Sequence, residues 1–63
     1  MLDSYFVVSR SSGNIIRVIQ RSATPEDSAT VTNVYASLSH VERYEQLFAA
    51  GQDLIDVDSV LHS

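Results

Sequence analysis

The side chains able to do chemistry are few. The chain has two histidines, His40 and His62, the residue type suited to proton transfer near neutral pH. Ten serines occur, but none sits in the G-x-S-x-G turn that exposes a nucleophile, and there is no cysteine to act as a thiolate or a zinc ligand. Asp53, Asp56, Asp58 and His62 lie within ten residues of one another, which raises metal binding. The stretch Asp56-Val57-Asp58-Ser59 lacks the glycine and closing glutamate of a calcium loop, and Val60 stands where a ligand is needed. Glycines 13 and 51 are isolated, so no phosphate-cradling loop is present. His40 shares a helix face with Tyr44 four residues on and reads as a packing contact. We therefore expect no catalytic residue, no metal site and no cofactor.

The remaining polar signal is charge. The chain has 63 residues, eight acids, four arginines and no lysine, for a net charge of -4. Residues 1–22 hold Arg10, Arg17 and Arg21 against Asp3, whereas residues 23–63 hold seven carboxylates against Arg43. A basic head is thus joined to an acidic body. The arginines with Tyr5 could touch phosphates, but so few cations on an acidic chain leave little counterion release, which disfavours nucleic acid as a partner. The converse reading is an acidic surface, centred on Asp53, Asp56 and Asp58, that imitates nucleic acid and blocks a DNA-binding protein.

These groups must be positioned by a small amount of structure. Tyr5-Phe6-Val7-Val8 and Ile15-Ile16-Arg17-Val18-Ile19 are β-branched and aromatic, and Ser11-Ser12-Gly13 between them supplies a turn, so residues 4–21 read as a β-hairpin. A three-residue loop with Gly13 left-handed pairs Val8 with Ile16 and Phe6 with Val18. One face then carries Phe6, Val8, Ile16 and Val18. The other carries Tyr5, Val7, Ile15 and Ile19 beside Arg17 and Arg21, so both faces are apolar and something must cover the second.

Thr24-Pro25-Glu26-Asp27 has the composition of a helix start, with a hydroxyl cap, proline at the first position and acids in the first turn. Val31, Val34, Tyr35 and Leu38 continue with helical spacing, but Val41, Tyr44, Leu47 and Phe48 centre about 120° away around the axis. The expectation is one bent or broken helix over residues 25–50 ending at Gly51, with Ser39 and Glu42 as a possible capping box inside it. A strand over 30–35 followed by one helix is the less favoured alternative. In the tail, residues 52–63, Ile55 and Val57 alternate with Asp56 and Asp58 as in an edge strand, although Leu54, Val57 and Leu61 also fit one helical face.

The fold expected is α+β in a single small domain: a hairpin, a long or broken helix and a short C-terminal strand or turn, ββαβ-like. The N-terminus has an acid where a signal peptide needs basic residues, and no apolar run is long enough to span a bilayer, so a cytoplasmic chain without a membrane partner is expected. A chain this size buries only about 60% of its unfolded surface, without disulfides to compensate. The role expected is a non-catalytic protein-binding module, a regulator, inhibitor or accessory subunit, with a protein partner, a second copy of itself in a homo-oligomer, or both. Its contact face would be Tyr5, Val7, Ile15, Arg17, Ile19 and Arg21, because aromatic and arginine anchors beside aliphatics are what interfaces select. Small accessory proteins of viruses and mobile elements share this format of size and class.

Overall fold

A computed structural model describes residues 2–62. The architecture is α+β, with strands β1 (Asp3–Ser9), β2 (Ile15–Arg21) and β3 (Val31–Ala36) followed by helices α1 (Leu38–Ala49) and α2 (Val57–Leu61). The three strands form one antiparallel sheet in the order β2-β1-β3. The most apolar strand therefore lies in the middle, with Tyr5, Phe6, Val7 and Val8 all buried.

The hairpin forms as expected, with Phe6 opposite Val18 and Gly13 left-handed at φ 75°. Its register near the turn differs. Ser9 closes on Asn14, so four residues rather than three make the loop, and Val8 pairs with Ile15 while Val7 pairs with Arg17. Ile16 is the extra residue of a β-bulge. The bulge turns Ile15 into the core at 7% exposure and leaves Ile16 half outside at 52%, reversing the assignment made from simple alternation.

Residues 31–36 form a strand, which corrects the expected helix over 25–50. The less favoured alternative is the one observed. Val31, Thr32, Val34 and Tyr35 suit a pleated surface better than a helix, and the free side of β1 offers six residues of pairing that a helix would forgo. The helix starts only at Leu38, capped by Ser37 rather than Thr24 or Ser39, with the His40 N–H donating to the Ser37 hydroxyl. Its C-terminal signal is as expected: Gly51 follows the C-cap at φ 91°. The tail is also corrected, from strand to helix. Asp56 caps α2 by accepting from the Asp58 N–H at 2.8 Å. Strand character persists only in one bridge, Asn14 with Asp56, where the Ile15 N–H donates to the Ile55 carbonyl and the Val57 N–H to the Gly13 carbonyl.

One sheet face packs against both helices. Phe6, Val8, Ile15, Ala36, Ile55 and Val60 form its core, flanked by Val34, Tyr44 and Leu47, with the Phe6 and Tyr44 rings 5.7 Å apart. The second face is covered by the chain itself. From the end of β2, the crossover over residues 22–30 runs diagonally past β1 to the start of β3. Thr24 meets the Tyr5 hydroxyl at 3.5 Å, Tyr35 meets the Tyr5 ring edge-on at 6.0 Å, and the Asn33 amide donates to the Glu26 carbonyl. Thr24-Pro25-Glu26-Asp27 thus works as an extended cover.

Candidate functional site

The two edges of the sheet are finished differently. Along the ladder, Arg10 N–H donates to the Thr30 carbonyl, which places the alternating partners so that β3 turns the backbone of Val31 and Asn33 outward. The crossover occupies both backbone groups of Val31 and the N–H of Asn33, whereas the outward backbone of Tyr35, further along, meets no partner among the described residues. The Asn33 N–H donates to Asp27 Oδ1 at 2.8 Å, the Ser28 N–H donates to the Val31 carbonyl, and the Val31 N–H donates to the Ser28 hydroxyl. Thr32 and the Asn33 side chain also donate to Asp27. The Asn33 backbone bond first, then these side-chain bonds, hold the Asp27 carboxyl below its ordinary pKa, with Arg10 assisting. The Arg10–Asp27 ion pair, at 3.8 Å and half exposed on both sides, adds little by itself.

On β2 the same alternation turns the backbone of Val18 and Gln20 outward. Its first residues are closed by the tail at Ile15. Beyond that point, the Gln20 carbonyl accepts from the guanidinium of Arg21 at 2.7 Å, and the other outward groups of Val18 and Gln20 meet no partner among the described residues. Alongside this edge, helix α1 packs nearer to β3 and leaves Ile16 and Arg17 of β2 exposed. The result is a cleft of about 720 Å³ floored by Ile16 and Val18 and walled by Val41, Tyr44 and Phe48, with Arg17, Arg21 and Glu45 at its rim. Phe48 is 62% exposed and its ring lies 6.2 Å from that of Tyr44.

The six residues expected to form one contact face are divided by the fold. Tyr5 and Val7 are buried under the crossover, and Ile15 is in the core on the opposite side of the sheet, so these three offer no docking surface in the folded chain. Ile19 is half-buried, and Arg17 and Arg21 are exposed. The arginines therefore remain, but their apolar neighbours on the surface are Ile16, Val18, Tyr44 and Phe48. Only a bulge could bring Ile16 to this place, and the exposed turn of the second helical stripe, centred on Phe48, is the signal in the sequence that pointed outward.

The other chemical candidates have structural surroundings. Asp56 caps α2, while Asp53 and Asp58 are exposed in the same tail, and no group of potential metal ligands comes together among the described residues. His40 is partly buried at the start of α1, and its Nδ1 is shielded without a hydrogen-bond partner among the described residues. No helix among the described residues is long and apolar enough to cross a membrane. Comparison with protein-family models, curated proteins and solved structures returns no match to this chain.

Proposed function

We propose that this chain is a non-catalytic protein-binding module that engages its partner through the cleft between β2 and α1. The observation that carries this reading is the combination of exposed Ile16 and Phe48 with the outward backbone of Val18 and Gln20 on the adjoining sheet edge. Two of the exposed large apolar side chains, Ile16 and Phe48, lie in this cleft beside two exposed arginines, the pairing that binding surfaces favour. Such a module would serve as a regulator, an inhibitor or an accessory subunit. The reading as an acidic mimic has less support, because Asp27 and Asp56, though exposed, already engage their carboxylates with backbone N–H groups of the chain itself.

The test compares the whole chain with Phe48→Ser and Ile16→Ser as baits in a cell lysate. Both side chains are more than half exposed, so both variants keep the folded far-UV circular dichroism spectrum at a cost of about 1 kcal/mol each. A partner should be retained by the parent chain and lost by both variants. If the variants retain everything the parent retains, the cleft is not the contact surface and the proposal fails.

A further inference from the structure

We infer that the partner enters as an extended segment in which apolar and acidic residues alternate, adding a fourth strand to the sheet at the outer edge of β2. This rests on the proposed binding role and specifies its mode. Three observations converge on it.

The first is the edge itself. Val18 and Gln20 present their N–H and C=O groups outward along a strand that ends the sheet, which is the template used in strand addition. The second is continuity with a pairing already made. At Gly13 and Ile15 the same edge accepts the chain's own tail, whose residues Ile55-Asp56-Val57-Asp58 alternate apolar and acidic. There Ile55 enters the core at 1% exposure while Asp56 stays outside. An incoming strand would extend this arrangement past the point where Leu54 leaves the edge.

The third is charge. Residues opposite Val18 and Gln20 would project to the helix side, over Ile16 and against Tyr44 and Phe48 in the cleft, which calls for apolar side chains. Residues opposite Arg17 and Arg21 would project to the other side, where those guanidinium groups have no carboxylate partner among the described residues. Carboxylates there gain charge-assisted hydrogen bonds, and Arg21 would exchange the neutral Gln20 carbonyl for one of them, releasing that carbonyl to the new ladder.

Charge and the tail also disfavour a second copy as the occupant in the registers that pair Val18 within β2. Two β2 edges related by a two-fold axis with Val18 paired to Gln20 put Arg17 of each chain directly opposite Arg21 of the other. The register that pairs Val18 with Val18 instead sets Arg21 against Ile15, whose outward N–H already belongs to the tail. Like charges placed face to face across a ladder are destabilising, so the arginines protect the edge from its own kind while inviting an acidic strand.

The experiment uses the intact isotope-labelled chain and two capped peptides of about eight residues, a typical strand length, alternating valine with glutamate or valine with lysine. In the free chain the Val18 and Gln20 amides should exchange rapidly with solvent. The glutamate peptide should slow both amides and shift the Phe48 ring, and the lysine peptide should bind at least ~10-fold more weakly. Arg17→Glu combined with Arg21→Glu, both at exposed positions, should reverse that preference. Slowed exchange with a doubled mass and no peptide would give the edge to a second copy and overturn the inference. Binding that shifts Phe48 but leaves the two amides unprotected would overturn strand addition while leaving the binding role standing. No response to the glutamate peptide at the edge or in the cleft would likewise overturn strand addition, and the Phe48→Ser bait comparison then judges the binding role separately.

Discussion

The bulge between Val7 and Val8 makes a prediction that separates two neighbouring isoleucines. Simple alternation puts Ile16 in the core and Ile15 on the far face, whereas the folded chain buries Ile15 to 7% exposure and leaves Ile16 at 52%. Truncating each to alanine removes the same atoms from very different surroundings. At Ile15 the lost burial and the cavity left beside Phe6, Val8 and Ile55 together cost about 3 kcal/mol. At Ile16 about half of the side chain is already in water and no closed cavity results, so the cost is about 1 kcal/mol. A chain of this length has a total stability on the order of 3–9 kcal/mol, so the first change consumes a large share of it and the second does not. Urea unfolding followed by far-UV circular dichroism reads the difference. With a slope of about 1 kcal/mol per molar urea, Ile15→Ala should lower the midpoint by roughly 3 M or unfold the chain outright, against roughly 1 M for Ile16→Ala. If Ile16→Ala proves the more costly of the two, the regular register is the true one, and the cleft built on an outward Ile16 goes with it.

Two further outcomes follow from the turn and the closed edge. Gly13→Ala should cost about 1–2 kcal/mol in the same urea assay, because the added Cβ meets open space and only the left-handed φ of 75° resists it. Asp27→Asn should destabilise the chain at neutral pH by weakening the bonds from Asn33 and Thr32. Since the folded carboxyl titrates below its ordinary value of 3.8, its contribution is present above that pH and is lost as pH falls through the lower folded value. The gap between parent and variant midpoints should therefore close on acidification below about pH 4, the unfolded carboxylate value, and a gap that persists unchanged at pH 2 would show that the effect is not the carboxylate's charge.

The legible parts of the fold were the local ones. The hairpin, its left-handed Gly13 and the helix stop at Gly51 rest on steric preferences that act within a few residues, and these operate in the folded chain as they do in a short peptide. The doubly apolar ribbon was legible too, together with the requirement that something cover its second face. Its cover was not. Thr24-Pro25-Glu26-Asp27 carries every mark of a helix start, yet these residues gain more by shielding Tyr5 and closing the edge of β3 than a short helical turn would return.

The same contrast holds for the candidate site. The sequence by itself determined that the arginines gather on the hairpin, that the acids follow it, and that the apolar side chains point in more directions than one core can use. Tertiary structure decided which of those directions reach water. A single unpaired residue at the bulge exchanged Ile15 for Ile16 at the surface. Pairing of Val31–Ala36 with β1 turned six residues of an expected helix into the third strand. Both choices depend on contacts between residues far apart in the chain, whose energies no local pattern records. Together they cover the first part of the β3 edge and leave the β2 edge, with its cleft and two arginines, open beyond Ile15.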